Sequence, residues 1–199
     1  MIQLPDSRMV QAAHRHAGTH LAEAVMNHSM RVARLSTLIG ESETAQLDGE
    51  LLWVASLFHD LGTAVGADSP DRFEVVGAHE AAAFLQRHTD RDDDEIQEVW
   101  DAIALHTSPH IAEARGGLVR AVRLGVLMDF GDDVLEDSAT VRRRLEAVLP
   151  RLDIEVVLAD AVVAQAVAKP EKAPPASWPH DLYASHLADP SREGINPAF

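Results

Sequence analysis

LLWVASLFHDLG, residues 51–62, carries a histidine and an aspartate at the end of an apolar run and closes on a glycine. Leu51, Leu52, Ala55 and Phe58 fall at helical spacing, so the run reads as a helix that Leu61-Gly62 stops. His59 lies on its Leu52 and Ala55 side, with Asp60 beside it in the last turn. Two ionisable groups therefore stand where core residues belong, and a buried carboxylate without a partner costs several kcal/mol.

Upstream, Leu21, Val25, Val32, Leu35 and Ile39 form a helical stripe ended by Gly40, and Ser42 and Thr44 offer caps for the helix that follows. Downstream, Val75, Val76, Ala82, Ala83 and Leu85 mark a helix over 74–88. The acidic run Asp92-Asp93-Asp94-Glu95 suits the start of another helix, through Ile96, Val99 and Ile103, which Ser108-Pro109 stops. A further helix with Leu118, Val122, Gly125 and Val126 on one face follows Gly116-Gly117, and weaker helical segments lie near 139–149 and 154–168. No stretch alternates with period two, so the expected class is all-α, a helical bundle over 1–168. Six of the ten prolines fall within 170–199, which marks 169–199 as a Pro-rich linker and tail, extended over Lys169–Pro175. Trp178, Leu182 and Tyr183 either dock that tail on the body or on a second subunit, or leave it with short local order only.

Composition narrows the chemistry. A formal net charge of −15 over 199 residues opposes phosphate-backbone binding, so nucleic acid is not an expected partner. No apolar run approaches the roughly 20 residues of a bilayer span. The opening MIQLPDSRMV has no basic start before an apolar stretch, so the expected location is cytoplasmic and no membrane partner is expected. Cysteine is absent, which excludes disulfides, thiolate nucleophiles and cysteine-held metals; any metal must take imidazole and oxygen ligands. The only lysines are Lys169 and Lys172, so a Schiff base in the body is excluded.

Further ionisable residues occupy inward positions. His28 continues the 21, 25, 32, 35, 39 stripe, Asp129 extends the 118, 122, 125 face, and His106 extends the 96, 99, 103 face. For any one such histidine, an imidazole bonded to a backbone carbonyl is the ordinary outcome. The whole set, converging from separate helices, matches the way helical bundles build carboxylate and imidazole metal sites. Arg31 and Arg34 read as a solvated or ion-paired face, and His14, His16, His20 and His88 as surface residues.

The order His28, His59-Asp60, Asp129, set in NHSMRVARLSTLIG, LLWVASLFHDLG and VRLGVLMDFG, resembles the HD-domain superfamily of metal-dependent enzymes over about residues 25–131. The resemblance implies a helical bundle of the HD type, in which His28, His59, Asp60 and Asp129 hold a divalent metal. Zinc is the expected ion, with iron and manganese compatible. The activity it implies is hydrolysis or hydration by metal-bound hydroxide, with Asp60 and His106 as catalytic residues. DRFEVVGAHEAAAFL and VWDAIALHTSPHIAE are similar to the cyanamide hydratase branch, which points to a small-molecule substrate and nitrile-type hydration. His79 departs from that branch. With His106 it resembles HD phosphohydrolases that recruit histidines for a second metal, so a phosphoester or nucleotide substrate is the alternative. A non-catalytic regulatory HD module is another, although all four ligands are present, and a homo-oligomer is compatible with either. His79, His106 and His110 are candidates for a second metal or the pocket wall, and Thr63 and Glu74 for orienting water or a ligating imidazole. His180-Asp181 is also an HD pair, but it lies in the tail away from any apolar helical face and carries no weight.

Overall fold

The computed structural model describes residues 4–190. Asp48 starts the helix that leads to the His59-Asp60 pair: its Oδ1 accepts from the backbone N–H of Glu50 at 2.9 Å and of Leu51 at 3.0 Å. Ser42 and Thr44, the expected caps, do not serve. Ser42 ends the preceding helix and Thr44 sits in a left-handed turn, φ 52°.

In chain order the helices are α1 Arg8–Gly18, α2 Glu23–Ser42, α3 Gly49–Phe58, α4 Phe73–His88, α5 Asp93–Ala104, α6 Ile111–Arg115, α7 Gly117–Asp129, α8 Ser138–Glu146, α9 Ile154–Ala168 and α10 Trp178–Ala188. Short 3-10 turns occupy Leu61–Thr63 and Pro170–Lys172, and there is no strand among the described residues. The all-α class expected from periodicity is the observed one. Within it, α1, α6 and α10 are helices that the sequence pattern did not mark. No helix of the described residues is long and apolar enough to cross a membrane.

Every residue of α3 from Leu51 to Phe58 is buried, because α1, α2, α4, α5 and α7 pack around it. A helix enclosed on all sides is apolar on all sides, which accounts for the unbroken run of 51–58. Close backbone approach fixes what surrounds it. A Cβ on Gly125 would stand 2.2 Å from Ser36 Oγ and 3.1 Å from the Val32 carbonyl, so this glycine lets α7 lie against α2. Gly40, expected to end its helix, is instead internal to α2: it makes room for Leu47, whose Cδ1 would be 2.8 Å from an added Cβ. Gly62 is tighter still, with the Phe73 carbonyl oxygen 1.9 Å from where its Cβ would be.

The segment expected as an extended linker turns through Pro170–Lys172 instead, and Lys172 is buried there, its Nζ donating to the Asp71 carbonyl at 3.0 Å. Proline content signals a break in helix but says nothing of such tertiary bonds. Beyond it, α10 packs on α9, and Trp178 and Leu182 join the main core, while 191–199 lies outside the described residues.

Gly62→Ala should lose about 3 kcal/mol or more of stability in urea denaturation, because the added methyl meets backbone that cannot yield. Gly18→Ala, with nothing within 4 Å, should change it by less than about 1 kcal/mol.

Candidate metal centre

Three imidazoles converge at the end of α3, and each is tied back through Nδ1. His59 Nδ1 lies 2.7 Å from the Ser56 carbonyl and His106 Nδ1 2.7 Å from the Ile103 carbonyl. A carbonyl only accepts, so both Nδ1 atoms carry hydrogen, and the neutral rings turn an Nε2 lone pair inward. His28 Nδ1 lies 2.7 Å from Asp129 Oδ2, a carboxylate already bound by Arg31, which fixes the same tautomer.

The inward atoms then face one another. His28 Nε2 and His59 Nε2 are 3.1 Å apart, and Asp60 Oδ2 lies 3.1 Å from His59 Nε2 and 3.5 Å from His28 Nε2. His106 Nε2 stands 3.6 Å from Asp60 Oδ1. Asp60 is buried, yet neither of its carboxylate oxygens accepts a hydrogen bond. Lone pairs and a carboxylate gathered without donors repel one another unless a cation lies among them, so the residues fit a divalent metal. His28, His59 and Asp60 supply ligand atoms all within 4.8 Å of one another, and His106 flanks them.

The local electrostatics agree. Burial pushes the Asp60 carboxyl up, but the imidazoles of His59, His106 and His28 outweigh it and hold the group well below its usual range. Burial likewise opposes charge on His59, and the neighbouring Asp60 carboxylate with the Ser56 carbonyl raises its pKa above the ordinary value. His28 moves down, because burial exceeds what Asp129 restores. A proton on His59 thus competes with a metal for the same lone pair.

Asp129, expected as the fourth ligand, meets His28 at Nδ1, the ring nitrogen opposite the one that faces His59 and Asp60. Asp129 Oδ1 accepts from Arg31 Nε at 2.7 Å, and its Oδ2 accepts from Arg31 Nη2 at 2.8 Å and from His28 Nδ1. It lies outside the group of converging ligand atoms and stands behind His28, where it orients the imidazole and raises its basicity. Arg31, read from sequence as a solvated or ion-paired residue, is wholly buried, and its Nη1 also caps the Leu149 and Pro150 carbonyls. The available signal was its position three residues after His28 on the same inward face of α2. Arg151 adds to this cluster, donating to the Asp129 backbone carbonyl at 2.8 Å.

The remaining candidates separate. His79 is exposed on α4 and its Nδ1 accepts from Trp100 Nε1 at 3.3 Å, so it is not brought to the cluster. His110 is exposed in a left-handed turn, φ 65°, ahead of α6. Thr63 donates to the Asp60 carbonyl at 2.7 Å and so steadies the doublet's backbone. Glu74 is fully buried, paired with Arg72 and accepting from Thr107 Oγ1 at 2.6 Å. Of the histidines read as surface residues, His16 is different: its ring stacks on Phe58 at 5.4 Å.

The family model of the HD domain matches residues 25–165. No curated protein matches the chain.

The protein should hold one divalent ion per chain by elemental analysis, with affinity that weakens as pH falls through the raised pKa of His59. His59→Ala should abolish retention, Asp129→Asn should weaken it about 10–100-fold, and His79→Ala should leave it unchanged.

Acid titration gives a second check. Burial pushes the Asp129 carboxyl up, but Arg31 and His28 more than reverse this and hold it far below its ordinary value. Its ionised form therefore contributes stability above the unfolded pKa of about 3.9, lost as pH falls toward the folded value. Metal-free Asp129→Asn should be less stable at neutral pH, with a shallower loss below about pH 4, read from urea midpoints.

Proposed function

The chain belongs to the HD-domain family, and we propose that it is a metal-dependent hydratase or hydrolase with one ion per site, acting at carbon on a small neutral molecule. The family's activity is of the metal-dependent hydrolase type, and the candidate site carries the matching donors. The observation that carries the reading is the convergence of His28, His59 and Asp60, with both Asp60 oxygens lacking donors.

A divalent ion, zinc first among those these donors suit, would supply Lewis acidity and lower the pKa of water at the site. His28 and His59 would hold it through Nε2, and Asp60 through a carboxylate oxygen. Asp129, Ser56 and Ile103 keep the three imidazoles from turning. Asp60 Oδ1, facing His106 Nε2, is placed to take a proton and pass it to that imidazole. Phe73 packs edge-on against His106, 5.7 Å between ring centroids, and bounds the centre on that side.

Charge supports a neutral substrate over a phosphoester. The arginines near the site are each matched by a carboxylate: Arg31 by Asp129, Arg72 by Glu74, Arg123 by Glu113, and Arg151 by Glu146 and Glu155. An arginine already paired with a buried or neighbouring carboxylate brings no net positive charge to a phosphate, so these pairs favour a neutral group. The placement of His79 on Trp100 also removes one candidate ligand for a second metal.

The test pairs urea formation from cyanamide with phosphate release from nucleoside monophosphates and a generic phosphomonoester, each with zinc, manganese, cobalt and iron. Hydration is expected, and His106→Gln should keep the ion while lowering turnover about 10²-fold or more. Phosphate release that Asp60→Ala abolishes, without hydration under any metal, would replace this reading with the phosphohydrolase one.

A further inference from the structure

The turn at 107–111 and the start of α10 face each other across a cavity of ≈ 340 Å³. None of the metal-centre residues lines it; it is linked to that centre by Thr107, which follows His106 in the chain, and by the Phe73 ring, which touches both His106 at 5.7 Å and Trp178 at 5.8 Å.

The segment that leads into the α10 side of the cavity is fastened to the body, by bonds that lie outside the cavity lining. Gln165 Nε2 donates to the carbonyls of Gly62 at 2.8 Å and Thr63 at 2.9 Å, Lys172 Nζ donates to the Asp71 carbonyl, and Lys169 Nζ donates to that of Asp68. The chain's only two lysines thus fasten the C-terminal segment to the loop that follows the His59-Asp60 pair. Ser177 caps α10, accepting from His180 N–H at 3.3 Å. Both rims hold non-glycine residues in left-handed backbone, His110 at φ 65° and Ala176 at φ 62°. Such strain persists only where surrounding structure enforces it and gathers at binding sites.

The lining specifies a ligand. Arg72 is held as a fixed fork: Nε donates to Glu74 Oε2 at 3.2 Å, and Nη2 to Glu74 Oε1 and to Thr107 Oγ1 at 3.1 Å. Its Nη1 has no acceptor among the described residues, although the side chain lines the cavity. Buried Glu74 cancels its charge, so the donors serve a neutral acceptor better than an anion. Asp181, also in the lining and exposed on α10, offers oxygens to N–H donors and repels phosphate. Trp178 and Ile111 add apolar surface, with Ile111 61 % exposed at the rim.

We propose that this cavity is a binding pocket for an amide- or urea-type group on a small neutral molecule, its carbonyl oxygen on Arg72, its N–H groups toward Asp181 and its apolar part on Ile111 and Trp178. Its assignment as the substrate or product pocket of the metal centre rests on the hydratase reading above; the binding itself does not. Asp181, from the HD pair that carried no weight in the sequence, is then a specificity residue supplied by α10.

Isothermal titration of the metal-loaded full chain with phenylurea tests it, with inorganic phosphate as the second probe. Phenylurea should bind and phosphate should not displace it. Ser108→Phe, which fills the cavity, and Asp181→Lys, which alters only its exposed rim, should each weaken binding about tenfold or more, with metal content and melting temperature unchanged. No binding of phenylurea at millimolar concentration, binding unaltered in Asp181→Lys, or displacement by phosphate would overturn the pocket. Binding with the expected variant losses but without hydration of cyanamide would uphold the pocket and sink the reaction; cyanamide hydration without phenylurea binding would do the reverse.

Discussion

A single buried carboxylate ties α7 to α2. Asp129 closes α7, and its two oxygens take three hydrogen bonds from α2, two from Arg31 and one from His28. Removing one member of such a network strands a buried charge, at about 3–5 kcal/mol. The network therefore demands that α2 and α7 lie close, and Gly125 against Ser36 supplies the closeness. The same contact decides the chemistry of His28: with Nδ1–H given to Asp129, the ring presents Nε2, and only Nε2, to His59 and Asp60.

That arrangement repeats around the centre. Ser56 and Ile103, one helical turn before His59 and His106, hold each Nδ1–H with a backbone carbonyl. Each ring is aimed by groups outside the ligand set, and the lone pairs meet at a carboxylate that has no donor of its own. The site is costly as a set of side chains and favourable as a set of ligands. Fold stability and metal affinity are thus coupled, since an ion bound only by the native state stabilises it.

The C-terminal segment belongs to the same structure. Lys169, Lys172 and Gln165 donate to main-chain carbonyls of the loop between the His59-Asp60 pair and α4, and Trp178 packs on Phe73, which touches His106. These bonds are long range in sequence and local in space. They explain why a Pro-rich stretch of composition typical of a linker is ordered here.

The sequence by itself determined the helical class, the central run at 51–58 and the inward His28, His59, Asp60 and His106, because helical periodicity records which face of each helix avoids water. It also excluded thiolate chemistry outright and Schiff-base chemistry in the body over 1–168. The short helices α1, α6 and α10 were less legible, since their packing rather than their pattern sustains them. Only the tertiary structure decided that Asp129 stands behind His28, that Arg31 is its buried partner, that His79 turns away to Trp100, and that the tail walls a cavity. Periodicity places a residue on a face, but which atom meets which across helices about a hundred residues apart depends on the crossing and depth of helix pairs, and a one-dimensional pattern does not encode these.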